Sequence, residues 1–224
     1  MKTFIITLSL VAALSTGAWA QGFISIANST LPIMTQTGTN APVKTGTAAS
    51  GYYYDVLFNA STVTTIDSSL QGLAAAGWSD ANLVAVNGTG ALGAGKITSA
   101  AQAVSGWASG TFDSAVVIGW SASLGTTWAQ VASAIAGASL STSGGAVGWT
   151  KLGAGEYVGY STIANANPGS SSGSAAALFG TTASPQVPTT ISTGFIMYGA
   201  VPEPGTLALA GLGVASLLIF RRRK

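Results

Sequence analysis

Between residues 22 and 200 the apolar runs are short, and Gly, Ser, Asn or Pro bounds each of them. Such punctuation favours short strands joined by turns over long helices. The clearest run is 51–58, where Tyr52, Tyr54, Val56 and Phe58 would share one face and Tyr53, Asp55 and Leu57 the other. In 115–120 the residues Val116, Ile118 and Trp120 would likewise lie together. Further strands are expected at 22–27, 83–86, 156–163 and 191–200. One helix is expected at 127–136, where Trp128, Val131 and Ile135 fall at helical spacing and Thr126 or Thr127 stands ready as a cap. Residues 167–174 and 183–190 read as flexible loops. The expected fold is therefore mainly β, an antiparallel sandwich-like body with one short helix.

Charge narrows the function. The chain has 224 residues, enough for one or two domains, but only 6% are charged, against roughly 25% in ordinary soluble domains. Its apolar share of 48% supplies a core and argues against wholesale disorder. Most of the basic residues sit at the two ends. Residues 21–200 hold three lysines (Lys44, Lys96, Lys151) against five acids (Asp55, Asp67, Asp80, Asp113, Glu156), a net charge of −2. A nucleic-acid binder needs a basic face, so that class is rejected. There is no Cys and no His. This removes a disulfide framework, Ser-His-Asp and Cys-His machinery, and the commonest metal ligand. No cofactor is expected.

The remaining motifs are bland. Residues 88–93 match a dinucleotide fingerprint by letter, and 90–96 most of a phosphate-binding loop, but Ile97 stands where Ser or Thr is needed and Asp113 is a loose match for the ribose acid. A Gly-rich turn is expected. Asp55, Asp113 and Glu156 lie in or beside strands and are the material for a carboxylate pair, although scattered acids are usually solvation and turn residues, and no enzyme is expected. Tyr52, Tyr53, Tyr54, Trp107 and Trp149 are candidates for stacking on sugar rings. Strand alternation sends about half of such residues inward, so core packing is expected of each. Asn28, Asn59 and Asn87 head Asn-x-Ser/Thr sequons but read as ordinary loop residues. Trp78, Trp107, Trp120 and Trp149 each follow a Gly without a fixed period, which excludes a propeller.

The ends carry the strongest signals. Residues 1–20 have the parts of a secretory signal peptide: Lys2, an apolar stretch over 4–14, and the small residues Ala18 and Ala20 of a cleavage site, giving a mature start at Gln21. At the other end Pro202, Glu203 and Pro204 precede 15 uncharged residues (206–220), then Arg221, Arg222, Arg223 and Lys224. As a helix the uncharged stretch would run about 22 Å, short of a hydrocarbon core of about 30 Å. It has no polar stripe, and the four cations favour the cytoplasmic interface and extend the span by snorkelling. A single C-terminal transmembrane helix is expected, with Gly211 and Ala215 as a small-residue pair within it.

The Pro-Glu-Pro motif, apolar helix and Arg-rich terminus, in that order, resemble the PEP-CTERM sorting signal of Gram-negative bacteria. The Gln21-Gly22-Phe23 start also resembles that of other exported proteins with this tail. The resemblance implies an exosortase-type processing enzyme as partner, with Pro202, Glu203 and Pro204 as its recognition motif, and a link to extracellular polysaccharide or biofilm. The other expected partners are the export machinery, signal peptidase and the inner membrane. The organisation expected is a signal peptide at 1–20, an exported β-rich body at 21–200 and a sorting and anchor segment at 201–224. The leading functional expectation is a non-catalytic cell-surface or matrix protein, anchored transiently. The alternative is a polysaccharide-binding module.

Overall fold

The computed structural model describes residues 21–201 apart from 47, 49–50, 67–72, 74–76, 91 and 144. The signal-peptide residues with Ala18 and Ala20, the motif Pro202, Glu203 and Pro204, the predicted helix at 206–220 with Gly211 and Ala215, and the tail Arg221, Arg222, Arg223 and Lys224 lie outside the described residues. Among the described residues no helix is long and apolar enough to cross a membrane.

The chain runs through β1 (Gly22–Ser25), β2 (Met34–Gln36), β3 (Val43–Lys44), β4 (Tyr52–Ala60), β5 (Ser79–Asp80), β6 (Ala85–Asn87), β7 (Ile97–Thr98), β8 (Gln102–Val104) and β9 (Asp113–Ser121). A helix α1 (Trp128–Ala134) follows, then β10 (Leu140–Ser143), β11 (Ala146–Trp149), β12 (Val158–Tyr160), β13 (Ala164–Ala166), β14 (Ala176–Ala177) and β15 (Ile196–Tyr198). The body is mainly β, as its punctuation predicts. The centre is the antiparallel pair β4 and β9, in register from Tyr52 opposite Ser121 to Ala60 opposite Asp113. Around it a large sheet takes the order β3-β2-β15-β12-β9-β4-β6-β7, with β13 also on β9 and β5 on β4. A small sheet, β14-β1-β8, and the hairpin β10-β11 complete the strands described.

Both faces of the central pair are covered. Tyr54, Val56, Phe58, Ala115 and Val117 pack with Ile24, Val104, Trp107 and Ala176 of the small-sheet side. There the rings of Phe58 and Trp107 stack with centroids 5.1 Å apart. On the opposite face Leu57, Val116, Ile118 and Trp120 meet Trp128, Val131 and Ile135 of the helical segment and Trp149 of β11. The face assignments made from alternation hold. The arrangement has three layers, because helix and hairpin cover the side that a two-layer sandwich would leave to solvent.

Two further departures have physical causes. Pairing is mostly antiparallel, but β2 runs parallel to β15 and β1 to β14. The strands at 156–163 and 191–200 are shorter than predicted, three residues each. Strands of two or three residues, such as β3, β5 and β7, carry no readable alternation and exist only because a neighbour supplies hydrogen-bond partners. The helix forms where predicted. Thr127 is its N-cap in a reciprocal capping box with Gln130.

Candidate functional site

Most sites suggested by the sequence dissolve into structure. Gly88 to Lys96 is a hairpin loop that returns into β7, closed by Gly88 N–H to the Lys96 carbonyl at 2.8 Å, with Gly90 at φ 74°. No helix N-terminus follows to hold a phosphate. Tyr54, Trp107 and Trp149 are buried in the core. Tyr52 and Tyr53 are half-buried, paired with Tyr157 and Trp120 respectively. Asn28 and Asn87 are buried clips. Asn28 bonds the Gly95 carbonyl, and Asn87 bonds the carbonyls of Gly46 and Ala48 while accepting from Tyr52 N–H at 3.0 Å. Neither is open to glycosylation. The Asn59 side-chain oxygen accepts from Ala60 N–H at 2.8 Å.

The candidate acids are not brought together. Asp113 stands opposite Ala60, and Asp55 opposite Ile118. Five strand residues separate the two levels, roughly 17 Å. Glu156 lies toward the far end of β9 and accepts from Gly153 N–H at 2.6 Å. Desolvation raises the pKa of Asp113.

Asp55 has a different neighbour, Asp80. From Tyr54 to Leu57, β4 takes three steps, while the opposing chain takes five, from Ala85 to Asp80. The surplus loops out through Asn82 at φ 53° and takes the Leu83 N–H out of the ladder. The Asp55 carboxyl accepts that N–H at 2.9 Å and Val56 N–H at 2.7 Å. Burial first, and then the Asp80 carboxylate, push the Asp55 pKa up to about 8. Asp55 is only 1% exposed, so its role is to close a bulge rather than to meet a substrate.

Two features remain near the C-terminal end of the body. The first is a groove of about 300 Å³ in which Tyr160 and Tyr198, both half-buried, stand with Leu140, Phe195 and Ile196 around the buried Trp149. No charged side chain lines it. The second is the exit of the chain. Trp149 is fixed by its indole N–H, which donates to the Val158 carbonyl at 2.8 Å. Its backbone N–H donates to the Gly199 carbonyl at 2.8 Å, and its carbonyl accepts from Val201 N–H at 3.1 Å. Gly148 allows this approach, since a Cβ there would lie 2.6 Å from the Gly199 oxygen. Composition hides these residues: Gly148-Trp149 is one of four Gly-Trp pairs, and Tyr160 and Tyr198 sit in strands too short for a face to be read.

The described body is β-rich and runs to Val201, directly before the Pro-Glu-Pro stretch. The family described as the PEP-CTERM protein-sorting motif matches residues 200–224. That motif marks a membrane-transiting protein directed to exosortase-type processing. No curated protein and no solved structure matches the chain.

Proposed function

We propose that the chain is a non-catalytic cell-surface or extracellular-matrix protein, held briefly in the inner membrane by a helix at 206–220 and then released by processing near Glu203. The carrying observation is the sorting-motif match at 200–224. The signal-peptide pattern at 1–20 supports export through signal peptidase. The four terminal cations hold the tail on the cytoplasmic side, which places Pro202, Glu203 and Pro204 near the opposite surface. Two prolines keep that stretch extended and non-helical, a form that a processing enzyme can bind. The test replaces Arg221, Arg222 and Arg223 with Asp and follows the protein by fractionation and mass spectrometry in its own cells. Lost anchoring or unprocessed protein is expected. Wild-type anchoring and trimming would refute the role of the tail.

A second reading, a polysaccharide-binding module, is favoured by the uncharged groove with Tyr160 and Tyr198. Tyrosine rings offer sugars an apolar face and a hydrogen-bonding hydroxyl. Saturable binding on a glycan array, lost in Tyr160→Ala and Tyr198→Ala, supports this reading. A blank array leaves the first reading alone.

A further inference from the structure

We propose that Gly148 and Trp149 form a clamp that fixes where the sorting segment leaves the folded body and sets the inner limit of C-terminal trimming. Trp149 grips the departing chain on both sides of Ala200, through the Gly199 carbonyl and the Val201 N–H. Gly199 is held from its other side as well, since its N–H donates to the Gln36 carbonyl at 2.9 Å. The next residue, Pro202, has no N–H and so cannot donate a backbone bond to the body on either side. The last backbone bond among the described residues, from the Val201 N–H, falls on the residue directly before the recognition motif, with no spacer in the sequence between them. A protease must hold its substrate extended and unpaired, so residues up to Val201 are withheld and residues from Pro202 onward are offered. The grip depends on Gly148, because any larger residue would strike the Gly199 carbonyl, which is backbone and cannot swing aside. The processed body would thus keep β15 and its neighbours β2 and β12 intact.

The test uses the full chain, purified in detergent and digested with a broad-specificity protease, with the surviving C-termini read by mass spectrometry. Wild-type trimming is expected to stop at residue 201 or beyond, and Gly148→Val to move the boundary inward past Ala200. Amide exchange at Val201, read by NMR on the wild type, is expected to be slowed at least about tenfold against an unpaired amide. Trimming of the wild type through Ala200, an unprotected Val201 amide, or an unmoved boundary in folded Gly148→Val would overturn the clamp. Should Gly148→Val fail to fold, the two wild-type measurements decide. The proposal rests on the reading that the tail is processed. That reading fails separately, if cells retain the wild-type tail intact while the purified protein shows the clamp.

Discussion

Asp55→Asn should convert a pH-sensitive body into a less sensitive one. In the folded protein the Asp55 carboxyl is buried and faces Asp80, so its pKa is raised from 3.8 to about 8. A raised carboxyl pKa means that the folded state binds the proton more tightly than the unfolded chain does. The resulting stabilisation is complete below the unfolded pKa and is lost as pH rises toward the folded one. Each unit of difference corresponds to about 1.4 kcal/mol, so rising from pH 5 to pH 7 should remove about 2 to 3 kcal/mol. Asp113, whose pKa burial also raises, adds a slope of the same sign. In Asp55→Asn the amide oxygen still accepts the N–H groups of Val56 and Leu83, and its NH₂ can face Asp80 without needing a proton. The variant should match wild type near pH 5 and exceed it by a few kcal/mol near pH 8. Urea unfolding followed by tryptophan fluorescence at pH 5, 6, 7 and 8 measures both. A wild-type stability that is flat over this range, or a variant with the wild-type slope, would refute the argument.

Three other outcomes are expected. At the start of α1 the shorter bonds run to the Gln130 oxygen, 2.8 Å from Thr126 N–H, whereas the Thr127 hydroxyl lies 3.5 Å from Gln130 N–H. Gln130→Ala should therefore cost about 1 kcal/mol and Thr127→Ala about half of that, by urea midpoints. Trp107→Ala empties a site stacked on Phe58 and should cost about 3 to 5 kcal/mol, with no direct effect on any sugar binding; loss of binding in a folded variant would contradict its place in the core. N-terminal sequencing of the exported protein should return Gln21, and a sequence beginning at Met1 would remove the signal-peptide reading.

What the sequence determined alone was whatever depends on neighbours along the chain. Alternation over β4 and β9 assigned their faces, because a strand inverts its side chains at every step whatever it pairs with. Helical spacing and a capping residue located α1, and the order of motif, apolar stretch and cations announced the sorting tail. What only the tertiary structure decided depends on residues far apart in sequence. Periodicity could not show that both faces of β4 and β9 are covered, since that requires β1 and β8 on one side and α1 and β11 on the other. The partner of Asp55 emerges from a bulge that exists only once β5 and β6 pair with β4. The grip on residues 199–201 belongs to Gly148 and Trp149, about fifty positions earlier in the chain. Hydrogen bonds of the backbone are indifferent to side-chain identity, so a sequence encodes them only through the packing that brings two segments together.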